Sequence, residues 1–373
     1  MIKVLHFFKT YYPETMGGIE QVIYQLAEGG AAVGVQSEVL YLSSRGAARG
    51  EAVGHHVGHR SRLDLHVAST GFSLSAFKDF AELARQADIV HYHYPWPYMD
   101  LVHFASRLKK PTVVSYHSDI VKQKSLLKLY QPLMNRFLGS VDRIVASSPN
   151  YAASSEVLQR FKDKVSVIPY GLDGATYPKV DEQKLAYWRN RLGPRFFLFV
   201  GALRYYKGLD YLIEAAKIAG LPVVIVGHGH LEQELRAQAQ TLGADTVQFV
   251  GGLPDEDKVA LLNLCEAFVF PSHLRSESFG MSLLEAAMFG KPLISCEIGS
   301  GMSFINLADQ TGYVVPPRDP AALARAMLSL WNDPERARAM GRNALQRYES
   351  VFTAREMVSR YAQLYRELLA GHS

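Results

Sequence analysis

Residues 170–208 read YGLDGATYPKVDEQKLAYWRNRLGPRFFLFVGALRYYKG. The stretch 170–194 is rich in glycine, proline and charge, the composition of a boundary. FFLFV follows, a short apolar run with the character of a buried strand, and then GALRYYKG, a loop that carries Arg204 and Lys207. A strand–loop–helix pattern that restarts after such a pause predicts a second α/β unit beside an earlier one.

The same rhythm runs outward in both directions. Toward the N-terminus, strands are expected at 2–8, 38–42, 89–92, 112–116, 143–147 and 165–168, with a helix from about Ile19. Toward the C-terminus, strands are expected at 222–226, 247–250, 267–270 and 292–296. Helices are expected at 208–219, 231–242, 321–331, 334–348 and 354–369. Short apolar runs alternating with amphipathic ones predict parallel sheets covered on both faces. The expected fold is therefore α/β, with two doubly wound halves: 1–172, a linker at 173–195, and 196–352. Ligands of such sheets bind beyond the carboxyl ends of the strands, and a cleft between two lobes is the default site. No solenoid-length repeat and no low-complexity segment interrupts the pattern.

Composition narrows the function. The 373 residues carry 40 Lys and Arg against 36 Asp and Glu, a net charge of +4, too mild for a nucleic-acid binder and compatible with an anionic substrate or surface. The two cysteines, Cys265 and Cys296, sit in apolar runs; they make no disulfide framework and no metal set, which points to a reducing cytosol. The opening MIKVLHFFK is too short for a signal peptide, and no run approaches the roughly 20 apolar residues of a membrane span. A cytoplasmic protein is expected, with room for peripheral contact at the inner face of the membrane.

Six stretches carry chemistry-bearing residues. PETMGGIE (13–20) follows the first strand and opens a helix; Gly17 and Gly18 allow close backbone approach to an anion, or form a plain turn. Arg204 and Lys207 lie at a strand end, where cations neutralise a diphosphate, unless they are solvated loop charges. VGHG (226–229) places Gly227 at another strand end, as ligand contact or turn. In SESFGMSLLEA (276–286), Glu277 precedes a helix and Glu285 lies in its second turn. That spacing disfavours a general acid–base pair and favours a clamp, with amides of Phe279, Gly280 and Met281 between the carboxylates and Ser278 beside them. The plainer reading makes Glu277 or Ser278 a helix cap and Glu285 a solvated side chain. YHSD (116–119) puts His117 and Asp119 at a strand end of the first half, where a lone His is more often structural. Finally, 103–143 holds eight Lys or Arg and two acids. Within it IVKQKSLLKLYQPLMNRFLG reads as a basic amphipathic helix broken near Pro132, suited to an anionic membrane face or to ordinary packing on a sheet. The histidines of HHVGHRSRLDLH (55–66) lack metal spacing and read as loop and strand.

Taken together and in order, these features resemble the retaining glycosyltransferases of family four, with the two-Rossmann GT-B fold. The resemblance covers nearly the whole chain and rests on Glu277-x7-Glu285 around Phe279-Gly280, on Gly17-Gly18-Ile19-Glu20 and on Arg204 with Lys207. YYKG, FPSHLRSESFG and the run EIGSGMSFINLADQTGYVVPPRDP are similar to bacterial O-antigen and common-polysaccharide mannosyl- and D-rhamnosyltransferases. The resemblance implies a GDP-linked donor sugar, a lipid-linked saccharide acceptor, no cofactor and no metal. It implies that Gly17 and Gly18 approach the diphosphate, and that Arg204 and Lys207 neutralise it. Glu277 would hold sugar hydroxyls, with Ser278, Phe279, Gly280 and Met281 on sugar and phosphate. Glu285 would hold the ribose, and Val250 and Gly251 the base; Gly227 would also contact substrate. His117, with Asp119, would stand by the sugar, and the last helix, about 353–373, would return to the first domain. A UDP-dependent transferase, a nucleotide-sugar epimerase and a non-catalytic nucleotide-sugar scaffold remain the rivals. A dehydrogenase is disfavoured, since neither half carries a dinucleotide fingerprint.

Overall fold

The structure, a computed structural model, describes the chain except residues 68–69, 121–123 and 373 and the side chains of 124–127. It divides into two units, Met1–Leu172 with Thr353–Ser373, and Asp173–Phe352. In the first unit the strands are β1 (Ile2–Phe7), β2 (Val35–Ser43), β3 (Ala48–Val53), β4 (His56–Arg62), β5 (Leu65–Val67), β6 (Thr70–Phe72), β7 (Ile89–Tyr94), β8 (Thr112–Tyr116), β9 (Arg143–Ala146) and β10 (Val165–Val167). Eight of them form one sheet in the order β10-β9-β8-β7-β1-β2-β4-β3, parallel except for the β3–β4 pair; β5 and β6 pair separately. The chain leaves β1 toward β2 on one side and later returns to β7 on the other. The ends of β1 and β7 therefore mark the topological switch point, where an open α/β sheet holds ligands.

One face of this sheet carries an apolar layer that includes Phe80, Tyr92, Val114 and Phe137. The other carries a polar seam. Alternation along HYH in the fully buried β7 places His91 and His93 on one side. His91 meets the hydroxyl of Tyr365 at 2.7 Å and that of Ser115 at 2.8 Å, and Ser115 meets Tyr361 at 2.7 Å. Tyr361 and Tyr365 belong to the helix Ala354–Gly371, so hydrogen bonds fix that helix against the sheet.

The second unit has β11 (Phe197–Val200), β12 (Val223–Val226), β13 (Val247–Gly251), β14 (Ala267–Phe270), β15 (Leu293–Cys296) and β16 (Gly312–Val315). They form one parallel sheet in the order β13-β12-β11-β14-β15-β16. FLFV, VVIV, AFVF and LISC are buried throughout, as sheets covered on both faces require, and each large side chain there contributes about 1.5–3 kcal/mol. Here the switch point lies between β11 and β14.

Several expectations change. Residues 173–195 hold a helix, Glu182–Leu192, and belong with the second unit: Trp188 Nε1 donates to Asp257 at 2.8 Å and Lys184 pairs with it at 2.9 Å. Within the basic segment one helix, Lys124–Ser140, continues through Pro132 instead of breaking there. Lys122 of that segment lies outside the described residues. The histidine stretch is loop and strand as expected: His55 lies in a turn before β4, His55 and His56 bond to Glu28, and His59 bonds to Glu38. Both cysteines are buried and free, and burial pushes their thiols up, to about 11 for Cys265 and about 12 for Cys296.

Candidate functional site

The loops after β11 and β14 converge at the second unit's switch point. After β11 the chain makes a single turn, Tyr205–Lys207, which returns Lys207 toward the sheet. Its side chain is only 10 % exposed, and Nζ donates to Glu277 Oε2 at 2.6 Å. It also lies 4.4 Å from the centroid of the Phe270 ring, so an aromatic face and a carboxylate hold one ammonium. Ser272 Oγ donates to the same Glu277 oxygen at 3.5 Å. An ammonium has three donors; one serves Glu277. Arg204 is exposed and stands by the Tyr206 hydroxyl, whose pKa is pushed up to about 12 by burial and by Glu277.

After β14 the chain reaches Gly280, the N-cap of the helix Met281–Met288. Gly280 has φ 98°, a left-handed conformation that L side chains avoid, and no side chain caps the helix. Neither Glu277 nor Ser278 is the cap. The helix start leaves the amides of Met281, Ser282 and Leu283 without intrahelical acceptors. Phe279 is buried against Phe352, and the Ser278 carbonyl accepts from Gly301 N at 2.8 Å, which fixes the approach to the helix.

Glu285 is 14 % exposed in its side chain, so it is no solvated residue. Its Oε1 accepts from Tyr177 Oη at 2.8 Å and from Lys258 Nζ at 3.0 Å. Burial pulls the Lys258 pKa down, but Glu285 and Asp255 more than offset it and the group stands above its ordinary value. Burial and Glu285 push Tyr177 up, so its hydroxyl stays a donor. The two carboxylates thus follow one plan: a lysine and a hydroxyl hold one oxygen, and the other oxygen has no partner among the described residues. Sequence reasoning missed Ser272, Lys258 and Tyr177. Lys258 and Tyr177 lie 27 and 108 residues from Glu285, with no local pattern that links them.

Gly227 lies at the end of β12, where an added Cβ would fall 2.0 Å from the Gly201 carbonyl oxygen; only glycine lets these strand ends approach. Val250 and Gly251 end β13, and the Gly251 carbonyl accepts from Gly227 N at 2.8 Å. The His228 ring, also missed, accepts from Gly252 N at 2.9 Å and lies against both glycines.

The first unit's candidates are arranged differently. Gly17 caps the helix Gly18–Gly30, and Glu20 supplies the return half of a capping box: Oε2 accepts from Gly17 N at 3.2 Å and Oε1 from Thr10 Oγ1 at 2.6 Å. Gly18 is the first residue of that helix. His117 is 2 % exposed and shares hydrogen bonds through both ring nitrogens, with Tyr170 Oη at 2.5 Å and His93 at 3.0 Å. Burial lowers its pKa to about 3. His93 continues the chain to His6 at 3.1 Å. Asp119 accepts from Tyr116 Oη at 2.9 Å and Ser155 Oγ at 2.7 Å, which braces the loop after β8. Among the described residues, His6, His91 and His93 form a trio within metal-binding reach, their nitrogens within 4.8 Å of one another. His91 and His93 already use both nitrogens in hydrogen bonds, so a metal would have to displace those bonds.

Comparison with known proteins adds the following. The family described as "Glycosyltransferase Family 4" matches residues 16–175, and "Glycosyl transferases group 1" matches 181–347. The chain is 60 % identical over 353 residues to the D-rhamnosyltransferase WbpZ of Pseudomonas aeruginosa, covering 95 % of this chain and 93 % of that one. It is 52 % identical over 372 residues to O-antigen chain mannosyltransferase C of Escherichia coli, covering 100 % of both. Among solved structures, sucrose-phosphate synthase from Thermosynechococcus elongatus superposes with a TM-score of 0.82 at 22 % identity, over the full length of both.

Proposed function

The chain belongs to glycosyltransferase family 4, and on that premise we propose that it moves a mannosyl or D-rhamnosyl unit, with retained configuration, from a GDP-sugar to a hydroxyl of a lipid-linked saccharide in O-antigen or common-polysaccharide synthesis. The observation that carries the chemistry is the Lys207–Glu277 pair at the second unit's switch point.

The donor's diphosphate meets Arg204 and the N–H groups that Lys207 keeps beyond Glu277, together with the amides at the start of Met281–Met288. Glu277 uses its uncommitted oxygen on sugar hydroxyls, and Glu285 uses its own on the ribose. Val250 and Gly251 lie along the base. From the first unit, Gly17 and Gly18 serve the reaction through their backbone, and His117, its ring held by Tyr170 and His93, serves it as a positioning residue. The acceptor hydroxyl oxygen bonds to the anomeric carbon on the face from which the phosphate oxygen departs. The carbon–phosphate-oxygen bond breaks, Arg204 and Lys207 hold the charge that develops on that oxygen, and the hydroxyl proton passes to it as GDP leaves. Those cations fill the electrostatic role of a metal ion, so the reaction runs without one. No helix among the described residues is long and apolar enough to cross a membrane. We place the lipid-linked acceptor at the inner membrane face, with the 103–143 segment toward anionic headgroups; its helix exposes Leu129 to 80 %, next to the exposed Lys128.

The test is donor choice and stereochemistry. A nucleotide that binds the native state raises its melting temperature by mass action. GDP is expected to shift melting more than UDP, the product to keep the donor's anomeric configuration by NMR, and EDTA to leave the rate unchanged. A larger shift with UDP overturns the GDP assignment.

A further inference from the structure

At the amino-terminal edge of the first unit's sheet, apart from the donor-site candidates and at the start of the 103–143 basic segment, lies a hollow of about 240 Å³. The helices Ser75–Gln86 and Pro97–Ser106 both end at it, just before the chain enters β8. Arg85, Arg107, Lys109 and Lys110 line it around Ala81 and Leu108, and no acidic residue does. None of the four side chains makes a hydrogen bond or ion pair with a described residue.

Part of this charge has a local reason. Arg85 lies in the last turn of its helix and Arg107 is the C-cap of the next, where cations complement the helix dipole. Lys109 and Lys110 lie beyond both helices and gain nothing comparable. Four like charges around one hollow repel each other, and that arrangement becomes favourable when an anion enters. The volume equals roughly eight waters, room for one or two phosphate groups with part of their hydration. We propose that this hollow is a binding site for a phosphate-bearing anion, separate from the proposed donor site and independent of the glycosyl-transfer reading. A free polyphosphate and an anionic lipid headgroup share that chemistry.

Crossed variants of the full chain test it. Sodium pyrophosphate binding is measured by calorimetry on wild type, on Lys109→Gln/Lys110→Gln and on Arg204→Ala/Lys207→Ala. Melting temperatures within about 2 °C of wild type mark the fold as intact. Weakening of about tenfold or more in the first variant, with binding retained in the second, supports the site, and the affinity should fall with salt. Loss only in the second variant overturns it, as does the absence of millimolar binding to wild type in either arm. Flotation with phosphatidylglycerol against phosphatidylcholine vesicles separates the sources. Flotation on the anionic vesicles that the Lys109/Lys110 variant loses assigns a headgroup, and pyrophosphate binding without such flotation assigns a free anion.

Discussion

The two units share a switch-point topology but treat its polar groups in opposite ways. In the second unit, Glu277 and Glu285 each commit one oxygen to a lysine and a hydroxyl and keep the other. In the first, Glu20 commits both oxygens, to Thr10 and Gly17, and His117 commits both nitrogens, to Tyr170 and His93. Groups that keep an unused donor or acceptor, yet are already oriented, are suited to meet a ligand without reorganising. Groups with every position satisfied shape a loop instead. On the proposed function, the contrast predicts direct ligand contact for the second unit's carboxylates and a positioning role for Glu20 and His117 in the first.

Removing Lys207 should break the contrast most sharply. Lys207→Ala is expected to lower kcat by about 10²–10³, near 3–4 kcal/mol, with a smaller change in donor affinity. Steady-state kinetics with donor varied reads both quantities. An unchanged kcat would mean that the paired ammonium only positions Glu277 and takes no part in leaving-group departure.

The first unit should respond in stability. Glu20→Ala removes both hydrogen bonds that tie the loop after β1 to its helix, and a loss of about 1–2 kcal/mol in urea denaturation is expected. Turnover per folded molecule should stay within a few-fold. If instead kcat falls a hundredfold with stability intact, Glu20 contacts ligand and the contrast between the units fails.

These assignments were unevenly legible in sequence. Apolar runs such as FLFV and VVIV locate buried strands because burial on both faces demands them. Arg204, Lys207 and Glu277 stand out because strand-end loops are where charge is useful. β16 was missed, since GYVV sits inside a run full of Gly, Ser and Pro. The role of Glu20 was hidden because a capping box usually announces itself with Ser or Thr, and here glycine holds the cap position. The buried histidines could be seen in HYH, but their chain through His6, His93, His117 and Tyr170 depends on strand order. No local pattern reports that His6 of β1 pairs in register with His91 of β7.

That histidine chain sharpens the comparison through pH. Burial lowers His6 and His117 to about 3, and lowers His91 and His93 well below 6.5. Between about pH 3 and 6.5 the unfolded chain therefore binds more protons than the folded one, and stability rises with pH. The contribution is complete above 6.5 and is lost as pH falls below it. Each buried histidine contributes up to about 1.4 kcal/mol per pH unit there. Urea denaturation from pH 7.5 to 5 should show this slope, and His117→Gln should reduce it by about one proton. An unaltered slope would mean that His117 already carries its proton in the folded state near pH 6, against the lowering that burial imposes.

Lys258 is the finest test, because it lies outside the proposed contact set and acts through Glu285. Lys258→Met removes the ammonium and keeps the stem that covers neighbouring apolar surface. Tyr177 still donates to Glu285 Oε1, so the carboxylate loses one of two restraints, and its other oxygen drifts from the position proposed for the ribose. Binding that is equal in ground and transition states raises KM and leaves kcat alone. The expected result is a donor KM raised by about three- to tenfold with kcat nearly unchanged, restored in part by Lys258→Arg. A donor lacking the ribose hydroxyls separates this from general damage. With it, wild type and Lys258→Met should have equal KM, because nothing remains for Glu285 to grip. If the variant is still worse on that donor, Lys258 supports the fold of the second unit and not the orientation of Glu285.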